Sequence, residues 1–248
     1  QGVNILLNIF FGPVVNAARA IAYQIQGAIA GFVSNFQMAM NPQIIKSFAL
    51  DDAKYMHHLI FVGARFSFFL LFMLCLPILL ETEIILKLWL KNIPEYTVIF
   101  TQLVLVNILI DCLSGPLMTA ANASGKVKSY QLLVGGLLLT ILPISYFFLK
   151  IGYPPQVTLY VSITFSIIAL ILRLRIVSSL VKLSIHSYIT NVILRILPVV
   201  IFSLVFAFAL KYLIPNDFLG LLVKLLSSFF LVVFSVFFLG ITKKEKIS

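Results

Sequence analysis

The chain has 248 residues, is 61% hydrophobic and 10% charged, and has a mean hydropathy of +1.11. Soluble domains run at about 45–50% apolar and about 25% charged, so a water-soluble globule is excluded: its surface could not be covered, and lipid must be the solvent. The net charge of +10, from 18 Lys and Arg against 8 Asp and Glu, does not make a nucleic-acid binder, because the cations stand singly at the ends of apolar runs, as headgroup anchors and cytoplasmic loops do.

A bilayer core about 30 Å thick takes about 20 apolar residues of helix. On that measure the chain is an all-α, polytopic transmembrane helix bundle of about eight segments. Residues 1–11 form a partial helix ended by Gly12-Pro13. The apolar run is already under way at Ile5, without an initiator Met or a charged signal-peptide n-region. This predicts a chain that opens inside a helix, with an upstream part missing. Residues 13–49 follow, a segment longer than one crossing and unusually polar, with Asn16, Arg19, Gln24, Gln26, Ser34, Asn35, Gln37, Asn41 and Gln43. Pro13 suits a first helical turn, where its missing N–H costs nothing.

Asp51-Asp52 marks the next helix start, where acids are favoured, and the membrane part of that helix covers 59–80. Residues 81–91 (ETEIILKLWLK) are amphipathic, with Ile84, Ile85, Leu88 and Trp89 on one face, and predict a short helix in the interface. The remaining spans are 94–123, kinked at Gly115-Pro116, then 130–149, 157–177, 189–213 and 218–241. The loops are short and no linker separates a second domain.

Orientation follows from the cations. Lys46, Lys54, Arg65, Lys126, Lys128, Arg173, Arg175, Lys182, Arg195, Lys243, Lys244 and Lys246 fall on one side; Arg19, Lys87, Lys91, Lys150, Lys211 and Lys224 fall on the other. The larger set places the C-terminus, and with an even number of passes Gln1, in the cytoplasm.

Few residues carry chemistry. Asn16, Arg19, Tyr23 and Gln26 step by three or four along one side of a helix, with Gln24 and the pair Gly27-x-x-x-Gly31 nearby and Ser34, Asn35, Met38 and Pro42 continuing the line. An uncompensated amide or cation in hydrocarbon costs several kcal/mol. These groups therefore face either a hydrated cavity, in which Arg19 attracts an anion, or another helix that the glycines admit closely. Asp111 is the one acid deep in a span, with Asn107 a turn before it. It is a candidate for proton or cation coupling, or a structural partner for Arg65 or Arg173. Arg65, Arg173 and Arg175 read as snorkelling anchors near span ends. Pro42, Pro77, Pro116, Pro143 and Pro198 lie within or at the ends of spans, where they bend helices into pivots. Cys75 and Cys112 read as small buried hydrophobes. His57-His58 lacks a third ligand at metal spacing, and no hydrolase, zinc-protease or nucleotide-binding motif is present, so neither an enzyme nor a metal or other cofactor is expected.

The string GPVVNAARAIAYQIQGAIAGFVSNFQMAMNPQIIKSFA (Gly12–Ala49) resembles the start of the C-terminal lobe of bacterial polysaccharide flippases, in the multidrug/oligosaccharidyl-lipid/polysaccharide exporter superfamily. The likeness is to O-antigen or capsule flippases of Bacteroides-like bacteria. It continues through Tyr55–Phe100 and Ser124–Tyr146. Such proteins have two six-helix lobes related by pseudo-symmetry, often with two further helices. The resemblance implies the C-terminal lobe of this two-lobe fold, with the N-terminal lobe missing. It also implies a multi-pass protein of the bacterial inner membrane that moves an undecaprenyl-pyrophosphate-linked oligosaccharide outward by alternating access. Arg19, Asn16, Gln24, Gln26 and Asn35 stand where that family lines its substrate cavity. The rival readings are a drug/cation antiporter using Asp111 and a purely structural membrane partner.

Overall fold

A computed structural model describes residues 2–125, 127–215 and 217–241, the side chain of Ser129 excepted. Lys126, Lys243, Lys244 and Lys246, which entered the orientation count, lie outside the described residues, as does Gln1. The described chain is all α, with no strand. Its helices are α1 (Gly2–Phe11), α2 (Pro13–Ala49), α3 (Ala53–Leu80), α4 (Thr82–Trp89), α5 (Thr97–Ala123), α6 (Tyr130–Lys150), α7 (Val157–Val181), α8 (Ile185–Leu213) and α9 (Phe218–Gly240).

Six of these, α3 and α5 to α9, are long and apolar enough to cross a membrane. The structure thus supports a multi-pass membrane protein with fewer spans than the eight segments read from the sequence. The difference lies at the first two. Helix α1 has only 10 residues. Helix α2 has 37, but its amides and Arg19 dilute every window below the hydropathy of a span.

Local chemistry sets the boundaries. Gly12 turns the chain between α1 and α2 at φ +80°, a left-handed conformation that suits glycine, and Pro13 follows in the first turn of α2. Asp52 caps α3, its Oδ1 accepting from the Tyr55 N–H at 3.0 Å. Asp217 caps α9 through Gly220 at 2.7 Å, and Ser184 caps α8 through Ser187 at 3.2 Å. Helix α4 carries a Glu83–Lys87 pair at 2.6 Å, one turn apart. Its inward side chains are Thr82 and Leu86, whereas Leu88 and Trp89 are exposed. The apolar face expected for this segment is therefore divided between protein and surroundings.

Helix α3 is the centre of the bundle, contacting α2, α5, α8 and α9, and two-thirds (67%) of its most apolar stretch is buried. Helix α5 is half buried (50%) against α2, α3 and α7, and α6 is the least covered at 17%. The main core gathers around Ile60, Ala64, Leu71, Leu76, Leu105, Leu117 and Val192. A smaller one, around Leu7, Val15, Ala18, Ala22, Phe100 and Leu159, ties α1 and the first half of α2 to α5 and α7. Both Cys75 and Cys112 are buried and unbridged, as their apolar surroundings suggest.

Candidate functional site

Helix α2 is divided lengthwise. Val15, Ala18, Ala22, Ile29, Val33 and Ile44 recur at helical spacing and are buried against the bundle. On the opposite side Gln24, Gly27, Gly31, Ser34, Asn35 and Met38 are exposed. A side chain added at Gly27 or Gly31 would meet nothing within 4 Å, so among the described residues no helix uses the close approach that this glycine pair offers.

The five cavity residues expected from the sequence do not converge on one pocket. Gln24 and Asn35 lie on the open face, and Asn16, Arg19 and Gln26 lie half-buried along its edge. Asn16 to Asn35 covers about 28 Å of helix, close to the thickness of a hydrocarbon core of about 30 Å. The arrangement is a stripe rather than a cup. Asn16 holds α1, its Nδ2 donating to the Asn4 carbonyl at 3.0 Å. Arg19 donates from Nη2 to the Tyr23 hydroxyl at 3.2 Å, and its guanidinium lies over the Tyr23 ring, 4.9 Å from the centroid. Its other terminal nitrogen, Nη1, is enclosed without an acceptor.

Two further amides of α2, Gln37 and Asn41, are structural. Gln37 donates to the Ser67 hydroxyl at 3.0 Å and to the Cys112 carbonyl at 3.2 Å, and Asn41 accepts from the Thr119 hydroxyl at 2.8 Å. They join α2 to α3 and α5.

Helix α5 breaks where Gly115-Pro116 suggested a kink: residues Cys112–Ser114 form a tighter 3₁₀ turn. Each residue of the turn is held by a different helix. The Cys112 carbonyl accepts from Gln37 of α2, the Leu113 carbonyl accepts from the Tyr188 hydroxyl of α8 at 2.9 Å, and the Ser114 hydroxyl accepts from Arg173 of α7 at 3.0 Å. Backbone atoms freed by an irregular turn must be satisfied inside the protein when lipid is the solvent; Gln37 and Tyr188 do so for two carbonyls, and Arg173 adds a bond to the Ser114 side chain. Nothing in the local sequence of Gln37, Tyr188 or Arg173 signals that role.

Asp111 precedes this turn at the midpoint of α5. Its Oδ2 accepts from Asn107 Nδ2 at 2.9 Å, and Ser166 and Arg173 of α7 complete its surroundings. Arg65 reaches a different helix. It is 2% exposed near the middle of α3 and donates from Nη1 to the Asn191 carbonyl at 3.0 Å, inside a wide π turn of α8 (Ile189–Ile193). The snorkelling expected of Arg65 and Arg173 is thus overturned: both are buried, because each binds a backbone or hydroxyl oxygen at an irregular turn. Arg175 alone of the three is exposed.

A second charged group escaped the sequence reading. Lys224 of α9, placed among the anchors, lies 3.7 Å from Glu81 at the end of α3, and both side chains are only 4% exposed. Beside them Lys211 Nζ donates to the Leu80 carbonyl at 2.8 Å. His57 belongs to a helix contact, its Nε2 standing 2.8 Å from the Val181 carbonyl oxygen.

No family model, no curated protein and no solved structure matches the chain.

Proposed function

We propose that this chain carries an anionic, lipid-linked oligosaccharide across a bacterial inner membrane, with its C-terminus in the cytoplasm, and that the open face of α2 lines the route. The observation that carries this reading is the stripe from Asn16 to Asn35, with Gln24, Ser34 and Asn35 exposed and Asn16, Arg19 and Gln26 half-buried at its edge, as long as the hydrocarbon is thick. Exposed amides are costly in lipid, so such a face belongs against water, a hydrophilic cargo or a second protein body. Arg19, half-buried with Nη2 on the Tyr23 hydroxyl, is the one cation of this stripe, and a guanidinium at its edge suits a phosphate oxygen. The likeness of Gly12–Ala49 to the C-terminal lobe of polysaccharide flippases points the same way. In that reading a second lobe faces α2, and the two rock about the route.

The test is Arg19→Ala in the producing cell. Surface polysaccharide should be lost, with the lipid-linked unit stranded on the cytoplasmic leaflet. Unchanged polysaccharide at unchanged protein level would remove Arg19, and with it the main support for this cargo. A cation antiporter is the second reading, favoured by the position of Asp111 at mid-helix beside Asn107. It requires ion-dependent dye efflux that Asp111→Asn abolishes.

A further inference from the structure

Helices α7 and α8 diverge on the outside of the bundle. From within, α8 is fastened by Tyr188 to the Leu113 carbonyl and by Arg65 to the Asn191 carbonyl. The π turn at Ile189–Ile193 widens α8 between and beyond these fastenings. The result is a cleft of about 360 Å³. Leu174 and Tyr188, both buried, form its floor; Ile171 and Ile189, 51% and 41% exposed, stand on its walls. Its single charged lining residue is Arg175, six residues before the end of α7. Among the described residues no carboxylate pairs with that guanidinium.

We propose that this cleft is a binding site for one anionic phospholipid, its acyl chain against the apolar floor and its phosphate on Arg175. Charge complementarity selects the occupant. A guanidinium without a carboxylate partner among the described residues, about 9 Å below a helix end, sits at the depth where a headgroup phosphate can reach it, and its planar fork offers two parallel donors to phosphate oxygens. Apolar slots between spanning helices that carry a basic residue at the membrane face are the form such lipid sites take. A zwitterionic lipid brings a phosphate whose charge its own ammonium offsets beside the cation, and a free phosphate would leave the slot unfilled. The site is separate from the α2 face and stands whatever cargo that face handles.

Native mass spectrometry of the purified full chain tests it, with phosphatidylglycerol, chain-matched phosphatidylcholine and inorganic phosphate offered separately. Phosphatidylglycerol should be retained, and Arg175→Gln should weaken its retention roughly fivefold. Ile171→Trp, which fills the slot from an exposed wall and leaves the cation in place, should weaken it comparably. Lys128→Gln, an exposed cation away from the cleft, should change nothing. Equal retention by Arg175→Gln and the parent would overturn the proposal. So would undiminished retention by Ile171→Trp, which would mean that the guanidinium meets any passing headgroup. Equal retention of phosphatidylcholine, or displacement by inorganic phosphate alone, would overturn it as well.

Discussion

Arg65 and Arg173 lie in membrane-crossing helices, yet both point into protein, where Arg65 binds a backbone carbonyl of the π turn and Arg173 the Ser114 hydroxyl of the 3₁₀ turn. Gln37 does the same for the turn in α5, and Gly115 makes room for it: a methyl group there would land on the Gln37 amide. Gly115→Ala should therefore displace Gln37 from the Cys112 carbonyl and the Ser67 hydroxyl, at a cost of about 1–3 kcal/mol. In Gln37→Ala the glycine substitution should cost much less, because the clash and the hydrogen bonds share one side chain. Detergent melting of the two single variants and the double variant reads this coupling; simple additivity would refute it. Glu81 and Lys224 make the complementary case, an ion pair removed from solvent. Glu81→Ala leaves a buried ammonium without its carboxylate and should destabilise by about 3–5 kcal/mol, whereas replacing both by apolar residues of similar volume should cost little or nothing. The same melting assay distinguishes the outcomes.

At the scale of elements, α4 is short and exposed and depends on local interactions. The hydrogen bond and charge of Lys87, with a smaller contribution from Lys211, hold the Glu83 carboxyl below its ordinary value. With the folded-state value below the unfolded one, the contribution of this pair is complete above the ordinary glutamate range of about 4.3. It is lost as pH falls through the lowered value. Trp89, the single tryptophan of the chain, ends this helix. Its emission should shift as the pH falls through that lowered value, and Glu83→Gln should abolish the shift. Helices α5 and α8 show the opposite design. Their irregular turns, Cys112–Ser114 and Ile189–Ile193, are held by side chains from α2, α3, α7 and α8. Breaks fastened from several helices move only when those helices move together.

At the scale of the whole molecule, the bundle is asymmetric: α3 is enclosed, while α2 keeps one flank open. The proposed orientation can be tested because the native Cys75 and Cys112 are both buried. A cysteine introduced at Ser184, in the exposed turn between α7 and α8, should react with a membrane-impermeant maleimide only from the cytoplasmic side. One at the exposed Tyr153, between α6 and α7, should react only from the opposite side. Labelling of both from one side would contradict a crossing by α7, and the reverse pattern would invert the proposed topology.

The multi-pass character, the helix class, the break at Gly12-Pro13 and the kink at Gly115-Pro116 were all legible in the sequence. Each depends on the transfer of a local run from water to lipid or on the backbone limits of one or two residues. The roles of the polar residues were not. Gln24 and Gln37 are the same residue type on the same helix, yet one faces outward and the other pins α5, and Arg65 and Arg175 look alike as cations in apolar runs. Which of each pair is enclosed depends on helices that approach from distant parts of the chain and on carbonyls released by turns that periodicity does not reveal. Only the tertiary structure decided that, because a buried polar atom takes whichever partner the packing brings within about 3 Å.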